Sequence, residues 1–177
     1  MKSQTTNIDG LLIVEGLVFN DLRGSLVKPY SADFLPENVN HNFKEIWFTK
    51  SKLNVIRGMH LQVEPFACEK LVSAICGRVE DVILDLRRGS PTYGRHFSIV
   101  LDGNSTTALY IPCGCAHGYK VLEDSSVVMY MATEVNNNSC DIGVLWSSFG
   151  YDWKLDSPIL SDRDAQLPPF VFGKTLI

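Results

Sequence analysis

Arg57-Gly58-Met59-His60-Leu61-Gln62 is the stretch of this chain whose residue types and spacing first suggest chemistry. It is entered by the apolar run Leu53 to Ile56 and followed by the loop Val63-Glu64-Pro65-Phe66. Residues three apart on an extended segment face opposite sides, so Arg57 and His60 serve one cavity only if Gly58 bends the strand between them. With that bend, the guanidinium can clamp an anion and the imidazole can carry a proton. Without it, the hexapeptide is a strand end with a solvated arginine and a hydrogen-bonded histidine. On these six residues alone both readings stand.

Four further features join it. Asp21-Leu22-Arg23-Gly24 is an early turn holding a cation beside a glycine. Lys70 follows Glu69 where a loop enters a buried strand. His117 sits in the glycine-flanked turn Pro112 to Gly118, and Tyr130 places a hydroxyl inside an otherwise apolar strand, where it needs a partner. Taken singly, each also reads as a turn former, a snorkelling lysine, a turn histidine and a core tyrosine. Pro112 to His117 resembles the second half of the cupin signature, but the first half should show His-x-His followed by glutamate. Here it is His60-Leu61-Gln62, with only Glu64 or Glu69 nearby, and His41 and His96 lack ligand neighbours. Two histidines without a carboxylate make a poor metal site, so the expectation is a barrel without a metal.

The elements that must position these residues read as strands almost throughout. Gly10–Glu15, Glu45–Thr49, Lys70–Cys76, Arg78–Leu86, His96–Leu101, Ala108–Pro112, Tyr119–Leu122 and Val127–Thr133 are short, rich in β-branched and aromatic residues, and bounded by Gly, Pro, Asn or Asp. Helical periodicity is confined to Ser31–Leu35 and to Ser161–Gln166, the latter with Ser161 as N-cap and Pro168 stopping it. The expected fold is all-β, a jelly-roll barrel with short peripheral helices. Glu80 and Asp81 interleave with apolar residues on one strand and read as rim charges or dimer contacts.

At 177 residues, with 45% hydrophobic and 20% charged content, the chain reads as one soluble domain over 1–177. Its net charge of -4 and lack of Lys/Arg runs argue against a nucleic-acid surface, so an anionic ligand must be held by a few placed cations. The polar N-terminus lacks the apolar stretch of a signal peptide, and no segment reads as a membrane span. Five cysteines without a C-x-x-C pair fit free thiols in a reducing cytoplasm; Cys113 and Cys115 are read as structural.

Taken together, the motifs resemble the dTDP-4-dehydrorhamnose 3,5-epimerase family. The matching pieces are D-x-R-G at Asp21 to Gly24, R-G-x-H at Arg57 to His60 and K-L-V at Lys70 to Val72. Next come D-L-R-x-x-S-P-T-x-G from Asp85 to Gly94, I-P-x-G-x-A-H-G from Ile111 to Gly118, and Tyr130. Gly150-Tyr151-Asp152-Trp153 and P-I-L-S-x-x-D from Pro158 to Asp164 close the series. The resemblance implies a cupin-type jelly roll, usually a homodimer, working on a nucleotide-linked 4-keto sugar without metal or coenzyme. It implies His60 as base, Asp164 as the carboxylate that orients and charges it, Tyr130 as the opposing acid and Lys70 as the oxyanion partner. Arg23, Arg57 and His117 match positions that hold the nucleotide-sugar, and Arg163 stands where the family usually has lysine.

The departures lie in the substrate shell. The family expects glutamate at Lys28, a Gln-x-Asn pair at Glu45 and Trp47, and a glutamate at Asp141. At Asn136 it expects an aromatic that stacks on thymine. A CDP-, GDP- or UDP-linked sugar, or inversion at one carbon only, are therefore alternatives; of another class, a silent sugar-binding cupin or a metal-dependent cupin. Loss of the stacking platform implies that dTDP binds no better than the other nucleoside diphosphates.

Overall fold

The computed structural model describes residues 3–174. Thirteen strands form three antiparallel sheets. The first sheet has the order β1 (Ser3–Thr5), β2 (Leu12–Glu15), β10 (Thr107–Ile111), β7 (Lys70–Cys76), β12 (Ser126–Ala132), β5 (Glu45–Ser51). The second has β13 (Asp141–Gly143), β6 (Ile56–Gln62), β11 (Cys115–Val121), β8 (Arg78–Asp85), β9 (His96–Asp102). The hairpin β3 (Leu17–Asp21) and β4 (Gly24–Lys28) stands apart as a sheet of two. A 3-10 turn covers Ala32–Phe34, and α1 spans Asp162–Ala165, its Ser161 cap accepting from the Asp164 N–H at 3.1 Å.

The first two sheets face each other as a jelly-roll barrel. Val72, Leu109 and Val128 from one meet Val79, Ile83 and Tyr119 from the other in the central core. The second sheet is covered on its outer face as well, and the first in part. Trp153 and Phe149 pack on Met59, Val82 and Ala116 behind the second, while Phe34 and Leu35 pack on Leu12 and Leu71 behind the first. Burial on both faces explains why β8 and β11 carry so little polar alternation.

The expected strands are present, with one shift that matters. His117 was expected in a turn, with its strand starting at Tyr119. Instead the turn ends at Gly114, whose φ is +79°, and the strand runs from Cys115, so His117 lies mid-strand between β6 and β8. Ala116 and Gly118 weaken the β signal but admit close neighbours on both sides.

The Asp85–Gly94 motif proves to be a structural knot. The buried Asp85 carboxylate accepts from the Arg87 guanidinium (2.9 and 2.8 Å), from Ser90 Oγ (2.6 Å) and from Thr92 Oγ1 (2.6 Å). Burial alone would raise this carboxyl, but those bonds outweigh it and bring it down from 3.8 to about 2. The difference is worth about 2 kcal/mol at neutral pH. A carboxyl depressed on folding stabilises the protein above its unfolded pKa and loses that contribution as pH falls through its folded one. Asp85→Asn should therefore lower unfolding free energy by about 2 kcal/mol at pH 7, with the gap to the unmodified protein closing between pH 3.8 and about 2 in urea titrations.

Candidate active site

The site is built on a bend in β6. His60 pairs with His117 of β11 and Arg57 with Tyr119, so three steps on one strand oppose two on the other. That extra residue is a β-bulge, and it brings Arg57 and His60 to the same side, while Met59 turns into the outer core. Gly58 makes it possible. Its φ is +119°, and a Cβ there would lie 2.5 Å from Gly118 Cα and 2.7 Å from the His117 carbonyl oxygen. Two glycines meet where the strands approach too closely for a side chain.

Inside the barrel this wall faces a cavity of about 490 Å³. His60, Arg57 and Gln62 from β6 and His117 from β11 line it on one side, with Asp164, Arg163 and Ser161 of the α1 segment and Asp141 of β13. Glu45, Trp47 and Thr49 of β5, Lys70 of β7 and Tyr130 of β12 line the other, with Glu134 and Asn136 at the rim.

His60 Nε2 lies 2.7 Å from Asp164 Oδ1. The second oxygen of Asp164 accepts from the Gly58 N–H at 3.3 Å, so the bulge and the carboxylate hold each other. Asp164 is buried, which raises its carboxyl, but the His60 bond and charge, the Gly58 N–H and Ser161 hold it below its ordinary value. It stays ionised and fixes the ring; with Nε2 committed, Nδ1 is the nitrogen left to take a proton.

Tyr130 comes from the facing sheet, in register with Trp47 on one side and Val72 on the other. Burial drives its phenol well above the ordinary value, and the neighbouring Tyr119 and Asp81 add to this, while Arg57 and Thr49 pull the other way. The phenol is therefore protonated at neutral pH and, once deprotonated, strongly basic. A proton acceptor and a proton donor thus stand on opposite walls of one cavity.

Charge around the cavity is unevenly satisfied. Asp141 holds Arg163 at 2.7 Å, Glu134 holds Lys44, and Glu45 accepts from the Asn136 backbone N–H at 2.8 Å. Arg57 donates Nε to Ser51 Oγ at 2.9 Å, and neither it nor Lys70 has an ion pair among the described residues. Two uncompensated cations in a sheltered site suit an anionic ligand and a developing oxyanion.

Two further residues matter here, one of which, Asp81, motif reading misassigned. Asp81, expected at a rim or dimer contact, is fully buried and bonds His117 Nε2 at 2.8 Å; burial raises its carboxyl and His117 partly offsets this. Nothing in a nine-residue charged strand reveals that the histidine 36 residues on will face it. Gln62 does not present its amide as a ligand. It donates to the carbonyls of Phe66 (2.9 Å) and Val135 (3.2 Å) and accepts from the Asn137 N–H (2.6 Å), which fixes the loop carrying Asn136. No group of three or more His, Cys, Asp or Glu among the described residues is placed to hold a metal ion.

A family model described as dTDP-4-dehydrorhamnose 3,5-epimerase matches residues 5–171. The chain belongs to the dTDP-4-dehydrorhamnose 3,5-epimerase family. It is 36% identical over 170 residues to the Shigella flexneri dTDP-4-dehydrorhamnose 3,5-epimerase, covering 94% of each chain. Among solved structures it is similar to the Bacillus anthracis dTDP-4-dehydrorhamnose 3,5-epimerase with TDP and PPi bound, at 35% identity and TM-score 0.91 over 96% of this chain and 99% of that one. It is also similar to the Legionella pneumophila dTDP-6-deoxy-D-glucose-3,5-epimerase in complex with dTDP-4-keto-L-rhamnose, at 31% identity and TM-score 0.89 over 95% and 92%.

All but two of the site residues expected from the family motifs line the one cavity; the exceptions are Arg23 and Lys28. Both lie on the β3–β4 hairpin, outside the barrel, where Arg23 is bonded to Asp21 at 2.5 Å and its side chain is 90% exposed. The hairpin pairs only with itself, so no strand among the described residues folds it back over the cavity.

The bulge offers a direct check. Gly58→Ala must strain a φ of +119° and force apart β6 and β11, and should destabilise by roughly 1–3 kcal/mol or more in denaturant unfolding. Gly89→Ala, where an added Cβ has no neighbour within 4 Å, should stay within about 0.5 kcal/mol of the parent.

Proposed function

We propose that this protein is a cofactor-independent epimerase that inverts the carbons flanking the ketone of a dTDP-linked 4-keto-6-deoxyhexose. The observation that carries the reading is the pair His60–Asp164 and Tyr130 on opposite walls, with Arg57 and Lys70 uncompensated between them. His60 takes the proton next to the ketone, and the electron pair moves onto the C4 oxygen as an enolate, which the Lys70 ammonium stabilises. The Tyr130 O–H then gives its proton to the other face of that carbon, inverting it, and the two groups re-equilibrate with solvent. The ketone itself acidifies both neighbouring carbons, so the chemistry asks for no redox cofactor. Arg57 and His117 clamp the diphosphate. The five cysteines are free, consistent with work in a reducing cytoplasm.

The same reading includes a homodimer. Val18, Phe19, Leu22, Leu26 and Val27 are exposed on the hairpin, and Ile46 and Phe48 are exposed on the outer face of β5. A second copy is the occupant that covers both apolar surfaces and carries its own Arg23 and Lys28 to the cavity it covers. That supply in trans accounts for two substrate cations lying outside the cavity of their own chain.

His60→Ala should abolish deuterium uptake from solvent at both carbons, since no proton leaves without the base. Tyr130→Phe should retain uptake at one carbon or more while inversion fails. Mass and NMR analysis of product from deuterated water reads both; uptake at the normal rate in His60→Ala would overturn the assignment.

Base recognition is weak in this reading. Asn136 is exposed at the rim, and its side-chain amide is engaged with Asn138 at 3.1 Å, so the roughly 1–3 kcal/mol of aromatic stacking is absent. In calorimetric titrations dTDP should bind no more than a few-fold tighter than UDP, and Arg23→Ala should weaken both equally. A strong dTDP preference, or an Arg23→Ala protein binding normally, would count against these assignments.

A further inference from the structure

Trp47 is the one large aromatic in the inward row of β5, between Glu45 and Thr49. It lies directly opposite Tyr130 on β12, and the two rings stack at 5.0 Å between centroids and 3° between planes. This is an offset parallel stack, which fixes the plane of the phenol. A second ring against it is His117, in a T-shaped contact at 5.6 Å between centroids and 70° between planes. The phenol is therefore held by a parallel stack on Trp47 and a perpendicular contact with His117. β5 is also the edge strand of its sheet, joined only to β12, so the indole couples the outermost strand to the proton donor.

The reaction divides at the enolate. Its electron pair can take back a proton from the His60 imidazolium, restoring the starting configuration, or take the Tyr130 proton on the other face, completing inversion. Return exchanges the carbon-bound proton with solvent whenever the imidazolium proton has turned over; inversion requires the phenol at the far face. We propose that Trp47 is a positioning residue for this second branch: its stack on Tyr130 holds the phenol at the far face of the enolate and so sets the fraction of proton exchanges that end in inversion. This rests on the epimerase reading above. The stack bears on the phenol and not on His60, so its loss acts on the second branch, and the ratio of inversion to uptake reads that effect apart from any change in substrate binding at this cavity-lining position.

Two substitutions separate a stacking role from simple filling of space. Trp47→Phe keeps a flat ring opposite Tyr130, whereas Trp47→Leu keeps apolar bulk without a planar face. Each is assayed with a dTDP-linked 4-keto-6-deoxyhexose in deuterated water, reading deuterium uptake and inversion at each carbon along with KM. Trp47→Leu, whatever its change in KM, should at saturating substrate invert on the order of tenfold less often per deuterium-uptake event than the parent, as expected for a slightly misplaced donor. Trp47→Phe should recover most of the parental ratio. Uptake and inversion falling in parallel, or a Trp47→Leu ratio equal to the parent, overturns the positioning role. Absence of uptake in the unmodified protein is a different outcome: it defeats the epimerase reading, and this inference with it.

Discussion

The close approach of β6 and β11 at Gly58 and Gly118 is the constraint on which the site depends. Without it, strand alternation would send Arg57 and His60 to opposite faces, one into the barrel and one into the outer aromatic layer. The bulge does more than turn a side chain. It aims the Gly58 N–H at Asp164, so the backbone distortion is tied to the carboxylate that orients His60. Ser161 fixes Asp164 from the far side by capping α1. A short segment near the C-terminus and a strand a hundred residues earlier are thereby locked in one arrangement.

The barrel interior is divided along its length. One part is filled by Val72, Val79, Ile83 and Leu109, and the other is polar and open. The division falls near Tyr119 and Tyr130, which belong to the core cluster. Tyr119 bonds Thr49 Oγ1 at 2.8 Å, and Tyr130 lines the cavity. Burying Asp81 beside His117 at this boundary is costly unless the pair is bonded. Burial first, then the neighbouring Tyr119 and Asp81, raises the Tyr130 phenol and keeps that group in its donor form.

Much of the fold is legible in the sequence because the strands are short, β-branched and separated by strong turn residues. His117 is the instructive failure. Gly114 marks a real turn, but Gly118 serves strand proximity, and one sequence symbol carries both meanings. His60 and Asp164 stand out in sequence within motifs and Tyr130 as a hydroxyl in an apolar strand, and the fold brings all three to one cavity. Asp81 is not, since its meaning comes wholly from a partner across β8 and β11. The Asp85–Gly94 motif is conspicuous in sequence, yet its residues satisfy one another and lie away from the cavity. Arg23 and Lys28 show the limit of reading one chain: motif matching names them, but the fold leaves them on an exposed hairpin outside the barrel.

β5 inverts the usual arrangement of a barrel strand. Its polar row, with Trp47, faces inward, and Ile46 and Phe48 face out, at 58% and 65% exposure. It is also the open edge of its sheet. An uncovered edge strand with apolar side chains is a template for unintended strand addition. A newly made chain therefore carries an aggregation hazard in the same strand that shapes its active site. That hazard lasts for as long as the strand's edge and its outward apolar row stand uncovered.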